Sequence, residues 1–250
     1  MRFNRLHPPA EPAEAESIYT RMALGERAPD WRPHVVANFV SSADGKATFH
    51  GRSGPLGASD GDRRSFHLLR TQVDAILAGT GTLGAERYGR MVRDEQLAQI
   101  RVAEGLEAQP LSVTISRSGA VPFDIPLFAD ERSTVALYAP DALQVPPGCA
   151  ASVHLHPLAD GPDALAGVMR SLRAEHGVRS LLLEGGPTLL GAMVAEDLVD
   201  ELFLTVATAL AGGAESAVSA GPPLARPLEL ELVWVLERDG HLFLRYARRR

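Results

Sequence analysis

From residue 34 onward the chain switches between two hydrophobic periods. Short apolar runs predict strands at 35–40, 73–78, 111–115, 134–138, 151–155, 178–183 and 201–207. Between them, apolar residues recur at helical spacing. Phe66, Leu69 and Val73 mark one face of a helix over 59–71. Leu165, Val168, Met169 and Leu172 form the stripe of another over 163–176, which Gly177 ends. A third helix is predicted over 94–104. Ser59 suits a helix cap, and Asp62 stands three residues on in a variant of the capping box. Residues 229–236 and 241–246 predict a hairpin that turns at Asp239-Gly240. Strands alternating with helices and closing on an antiparallel hairpin imply an α/β fold, with a mixed sheet covered on both faces. Residues 1–32 are rich in Pro, Ala and Glu and show little periodicity. They are expected to be an N-terminal extension with a short helix over 14–22, the rest lying on the domain or on a neighbouring subunit. Residues 33–250 are expected to form the single domain. The Gly- and Pro-rich stretch from Gly212 to Pro227 reads as a long connection over the sheet or at a subunit contact.

Composition narrows the class. With 250 residues, 45% hydrophobic and 22% charged, the chain suits one large soluble α/β domain. A net charge of −6 gives no support to nucleic-acid binding. No apolar run approaches the ~18 residues of a membrane span, and the N-terminus lacks a signal-peptide core, so a cytoplasmic location is expected. The single cysteine, Cys149, excludes an internal disulfide and a multi-cysteine zinc site. No metal is expected.

The chemistry concentrates at strand ends. The run Leu181-Leu-Leu-Glu184-Gly-Gly-Pro187 reads as a strand ending at Leu183, then a carboxylate, two glycines and a helix opened by Pro187. Glycines let backbone approach a ligand, and the N–H groups of a helix start suit a phosphate. Gly79-Thr-Gly-Thr82 ends a second strand and offers backbone N–H groups and a hydroxyl, although Thr82 equally suits a plain N-cap. Ser116 and Arg117 follow a third strand, where a hydroxyl and a guanidinium at a strand end suit a phosphate. Asp62 near a helix start suits a carboxylate favoured by the helix dipole. Asp44-Gly45 is a turn signal before it is chemistry. His154 and His156 flank one strand without further metal-ligand company.

One ordered set of motifs carries a resemblance. Ser41-Ser-Ala-Asp-Gly-Lys46, Arg52-Ser-Gly-Pro-Leu56, Asp62-Arg63, Leu68-Leu-Arg70, Asp74-Ala-Ile-Leu-Ala-Gly-Thr-Gly-Thr82 and Glu184-Gly-Gly-Pro-Thr-Leu-Leu190 resemble the reductase domain of bacterial riboflavin biosynthesis, a relative of dihydrofolate reductase. The resemblance covers roughly residues 34–247. It implies a dihydrofolate reductase-like three-layer αβα fold with a mixed, mostly parallel sheet and a C-terminal antiparallel hairpin. It also implies NADPH as cofactor, held by Val40, Thr82, Glu86, Ser116, Arg117 and the run Gly185, Gly186, Pro187, Thr188, Leu189, Leu190 and Gly191. Arg70, Arg93, Ser53 and Glu184 match substrate contacts, with Glu184 and Asp62 as the candidate catalytic carboxylates.

The implied substrate is 5-amino-6-(5-phosphoribosylamino)uracil or its diaminopyrimidine precursor, reduced to the ribitylamino product. A homodimer is implied as well. A zinc deaminase partner is expected to be a separate protein, since His-x-Glu with Pro-Cys-x-x-Cys is absent. Three positions depart from the family pattern. Asn38 replaces a usual lysine, Gly54-Pro55 replaces a Gln-Trp or Lys-Trp pair, and Glu86 stands where aspartate is usual. They line the implied nicotinamide and substrate pocket, Asn38 on the substrate side, and leave dihydrofolate or another pterin as an alternative. A non-catalytic NADPH-binding protein is the third reading.

Overall fold

The computed structural model describes residues 1–249. In chain order its elements are β1 (Arg2–His7), β2 (Ala10–Glu14), α1 (Ala15–Tyr19), β3 (His34–Ser42), α2 (Asp60–Arg70), β4 (Ala75–Ala78), α3 (Thr80–Ala85), α4 (Glu95–Ala103), β5 (Leu111–Ile115), α5 (Pro126–Ala129), β6 (Thr134–Ala139), β7 (Ser152–Pro157), α6 (Ala164–Glu175), β8 (Ser180–Gly185), α7 (Pro187–Ala195), β9 (Glu201–Ala207), β10 (Leu230–Arg238) and β11 (His241–Arg248). The class is a three-layer α/β fold with a mixed, mostly parallel sheet and a C-terminal antiparallel strand pair. The chain divides into two compact units, one of Met1–Met22, Val35–Leu69 and Pro187–Arg250, the other of Ala23–His34 and Arg70–Gly186.

In the second unit the strands run β8-β4-β5-β6-β7, all parallel. Parallel strands are covered on both faces, and β4 and β8 are accordingly buried at every position. That is why their sequences read as unbroken apolar runs. β8 extends two residues beyond the predicted end, so Glu184 and Gly185 lie within the strand rather than after it. The register between β4 and β8 shifts between Leu77 and Ala78, which sets Gly185 opposite Ala78. A bulge of this kind re-aims the strand just before its turn.

In the first unit the order is β2-β1-β10-β11-β9-β3, antiparallel except for the β3–β9 pair. Here burial alternates along β9, as expected of a sheet with one covered face. The hairpin turns as the sequence predicts: Asp239 and Gly240 take φ of 51° and 82°, the pair of positive values that a two-residue type I′ turn needs. Residues 2–14 depart from the sequence reading. They form two strands, and β1 pairs with β10. What holds them is aromatic: Phe3 packs edge-on to Phe243 at 5.0 Å, and Tyr19 edge-on to Trp234 at 5.6 Å. Both N-terminal rings are buried, so this segment contributes core.

The stretch from Gly212 to Pro227 contains no strand. Its course is set by Ala47 N–H donating to the Ser216 carbonyl and Ala220 N–H donating to that of Pro187. Gly191 on α7 faces the second of these contacts. A Cβ there would press on the Ala220 carbonyl oxygen, with the carbonyl carbon at 2.9 Å. Gly191→Ala is therefore expected to cost about 1–3 kcal/mol by overpacking. A urea midpoint shift, accompanied by faster proteolysis at 216–221, would show it; an unchanged midpoint would mean the loop yields freely.

Candidate active site

In the second unit the candidate residues lie at the carboxyl ends of β4 and β8. Gly79 N–H donates to the Gly185 carbonyl at 2.8 Å, which ties the two strand ends together. Helix α3 then starts at Thr80. Its N-cap is Gly79, which supplies no side-chain cap, so the first N–H groups of the helix keep no side-chain partner. This corrects the reading of Thr82 as a plain N-cap. Thr82 sits within the first turn, and its Oγ1 lies 3.0 Å from where a Cβ would stand on Gly185 and on Gly186. Gly185 has φ of +147°, and the peptide joining it to Gly186 is cis. Only glycines leave room for the threonine here. Gly81 faces open space.

One residue before this turn lies a buried ionic network. Arg70, the last residue of α2, grips Glu184 with two bonds: Nε to Oε1 at 2.7 Å and Nη2 to Oε2 at 2.6 Å. Its Nη1 donates to the Met91 carbonyl at 2.7 Å. Tyr88 donates its hydroxyl to Oε2 of Glu184 at 3.1 Å, and its ring lies 5.4 Å from the Arg70 guanidinium. The Arg70 side chain is 9% exposed and that of Glu184 0%. Burial pulls the Arg70 pKa down, but the charge and hydrogen bonds of Glu184 outweigh it and the net shift is upward. Burial, then the Glu184 charge, pushes Tyr88 well above the usual phenol range. Arg101, fully buried, donates Nη1 to the carbonyls of Arg70 and Val73 and so holds the end of α2 in place. Burial draws its pKa down to about 10.

Both oxygens of Glu184 are thus engaged by protein. Arg70 and Glu184, which the resemblance gives as substrate contacts, are paired with each other. Tyr88 and Arg101 escape the sequence reading altogether. Tyr88 stands in a stretch without an apolar period, where one aromatic among arginines was the available signal. Arg93 is exposed, and its guanidinium lies against Gly89. Glu86 caps the end of α3 and is half-buried. At the end of β5, the buried Ser116 donates its hydroxyl to the Ala120 carbonyl at 3.0 Å, which closes a tight turn. Arg117 projects from that turn into solvent. The hydroxyl predicted for a phosphate is therefore spent on the turn, and only the guanidinium is presented.

The first unit places its candidates at the carboxyl ends of β3 and β9. Asn38 and Val40 are half-buried on β3, and Val40 is in register with Thr205 of β9. Ser59 caps α2 as predicted, accepting the Asp62 N–H at 3.1 Å. The Asp62 carboxylate does not complete the capping box; it takes a hydrogen bond from the Thr205 hydroxyl. Burial raises its pKa to about 6, against the Thr205 bond and the charges of His241 and Arg63, which favour the ionised form. A Cβ on Gly57 would come 2.7 Å from Asp62 Oδ2 and 3.8 Å from Val40 Cγ1, so these three share one small space. Thr205 and His241 lie far along the chain from Asp62, and no local pattern announces them. Ser53 is half-buried in the loop after β3, where its carbonyl accepts the N–H of Leu56 and Gly57. On α7, Pro187 and Leu189 are half-buried and Thr188 exposed. Leu190 is buried and Gly191 packs on Ala220, so these two serve helix packing rather than presenting side chains to a ligand.

Asp44 is the turn residue. Its oxygens accept from Ser42 Oγ and from the N–H groups of Ala211 and Gly212, and these bonds, the Ser42 bond first, lower its pKa to about 2.

The class is a three-layer α/β protein with a glycine turn and a buried arginine–carboxylate pair at parallel strand ends. Within that class the model of the RibD C-terminal domain matches residues 33–242, and the chain belongs to that family. It is 29% identical over 221 residues to the 2,5-diamino-6-ribosylamino-4(3H)-pyrimidinone 5′-phosphate reductase of Archaeoglobus fulgidus, covering 87% of this chain and 98% of that protein. It is 31% identical over 193 residues to the reductase of the same name from Methanothermobacter thermautotrophicus, covering 74% of this chain and 82% of that one. The riboflavin biosynthesis protein RibD of Mycobacterium tuberculosis is 29% identical over 188 residues; the match takes in 74% of this chain but only 45% of RibD. Among solved structures, a pyrimidine reductase-like protein from Corynebacterium diphtheriae shares the fold at a TM-score of 0.78 and 23% identity, covering 94% of this chain and 98% of that one. Among the described residues no helix is long and apolar enough to cross a membrane.

Proposed function

We propose that the protein is an NADPH-dependent reductase that converts the phosphoribosylamino group of a riboflavin-pathway pyrimidine to its ribitylamino form. The observation that carries this reading is the Gly185-Gly186 turn, held against Thr82 beside an uncapped helix start. Two backbone turns free of bulky side chains, at neighbouring parallel strand ends, fit a pyrophosphate. Thr82, Gly185 and Gly186 would hold the cofactor there, and Arg117 its 2′-phosphate. When bound, NADPH supplies the hydride. The protein's own tasks are to bind, to orient and to deliver a proton. Arg93 is the guanidinium left for the substrate phosphate. The Arg70–Glu184–Tyr88 network sets the floor under the turn. We assign the proton to Asp62, which is half protonated near pH 6.

The relative that this chain spans almost end to end is named for a diaminopyrimidinone substrate, which favours that compound over the aminouracil. A homodimer in the cytoplasm, with the reductase domain at 33–250, belongs to the same reading. The test is NADPH oxidation with the diaminopyrimidine, the aminouracil and dihydrofolate in parallel. Turnover with the diaminopyrimidine alone is expected. Turnover with dihydrofolate alone would move the protein to pterin chemistry, and stoichiometric NADPH binding without any turnover would make it a binding protein. Arg117→Ala is expected to raise the KM for NADPH about tenfold and leave that for NADH nearly unchanged, because a charge-assisted bond to phosphate is worth about 1.5–3 kcal/mol. Equal effects on both cofactors would remove Arg117 from the site.

A further inference from the structure

Three histidines outside the proposed reaction gather at the β7 edge of the second unit. His154 and His156 stand two apart on β7 and share a face; His176 follows α6 as its C-cap. Sequence spacing hides this meeting, since only the packing of α6 brings His176 to the strand. The Nε2 atoms of His156 and His176 are 2.9 Å apart, and their rings cross at 78°. Only one proton fits between two such nitrogens, so one of them presents a bare lone pair to the other. The His156 ring is fixed by Tyr138, stacked on it at 4.8 Å, and Glu175 Oε2 lies 3.6 Å from its Nδ1. The ring of His154 is 5.9 Å from that of His176, edge-on.

We propose that His156 and His176 form a two-imidazole site for a late first-row divalent cation, Cu²⁺ or Ni²⁺, with water in the remaining positions. Imidazole nitrogens bind such ions at about 2.0–2.1 Å, and two of them at a right angle stand about 2.9 Å apart. Tetrahedral ligands would stand about 3.3 Å apart, so the spacing suits square-planar or octahedral geometry better. Glu175 Oε2, at 3.6 Å from Nδ1, lies beyond hydrogen-bond distance, but its negative charge favours the tautomer with the proton on Nδ1, which leaves the His156 Nε2 lone pair for the ion. Binding replaces the proton between the rings, which returns to solvent or to the distal ring nitrogen. Among the described residues no group of three or more His, Cys, Asp or Glu is placed to hold an ion, so the site is a two-ligand one that exchanges its metal. The bound ion would pin the edge strand to the end of α6.

The test uses tag-free, chelator-treated full-length protein and CuCl₂. Calorimetry is expected to give one equivalent bound, and electron paramagnetic resonance a signal split by two imidazole nitrogens. His156→Gln and His176→Gln should each weaken binding at least about tenfold, while His154→Gln changes it less than about twofold. A melt without metal checks that each variant is folded. A wild-type signal with fewer than two nitrogens, or undiminished binding in the folded H156Q/H176Q double variant, overturns the proposal. The spectrum of the wild type decides even where a variant fails to fold.

Discussion

Replacing Arg70 with methionine is expected to destabilise the protein by about 3–5 kcal/mol, the usual cost of stranding one partner of a buried ion pair. The magnitude follows from burial. The Glu184 side chain has no exposed surface, so without Arg70 its charge is met, among the described residues, by the Tyr88 hydroxyl alone. Neutralising both partners should recover much of the loss, since the pair contributes little net stability once desolvation is counted. Arg70→Met with Glu184→Gln is therefore expected to be more stable than Arg70→Met alone. Denaturant midpoints of the two single variants and the double would establish this by a mutant cycle. Additive losses would show that the two residues act independently. The stable double variant is still expected to turn over poorly, because the floor beneath the Gly185-Gly186 turn would have lost its rigid fork.

Asp62→Asn is expected to lower kcat by about 10²-fold, the lower end of what a positioned proton donor contributes, and to abolish the pH dependence near 6. Asp62 is raised to about 6 in the fold, above an ordinary aspartate. A raised carboxylate favours the folded state when protonated. Its contribution is complete below about pH 4 and is lost as pH rises through about 6. In the same direction, a kcat that needs the protonated acid falls above about pH 6. Asp62→Asn should thus be slower but more stable above pH 7, by up to roughly 3 kcal/mol from a shift of about two units. A variant that gains stability and keeps full kcat would leave Asp62 as a buried helix-end carboxylate and nothing more.

Most strands and helices after residue 34 were legible from their apolar runs and periods; the short helices α3 and α5 were not, because four to six residues are too few to show a period. Leu111–Ile115 and Glu201–Ala207 agree to the residue. The hairpin turn was legible because Asp-Gly at two positive φ values is a local requirement. Residues 2–14 were not legible. Their strands are held by Phe3 and Tyr19 meeting Phe243 and Trp234, contacts across nearly the whole chain that leave no period behind. The same division runs through the candidate site. Gly185, Gly186 and Thr82 announced a tight turn at a strand end, because backbone freedom belongs to the residue itself. That Arg70 spends its fork on Glu184, that Tyr88 completes the pair, that Thr205 rather than Ser59 holds the Asp62 carboxyl, and that His176 reaches His156 are matters of distance between remote residues. Local propensity is written along the chain; the partners of buried charge are chosen only when packing excludes water and leaves each polar group to find another.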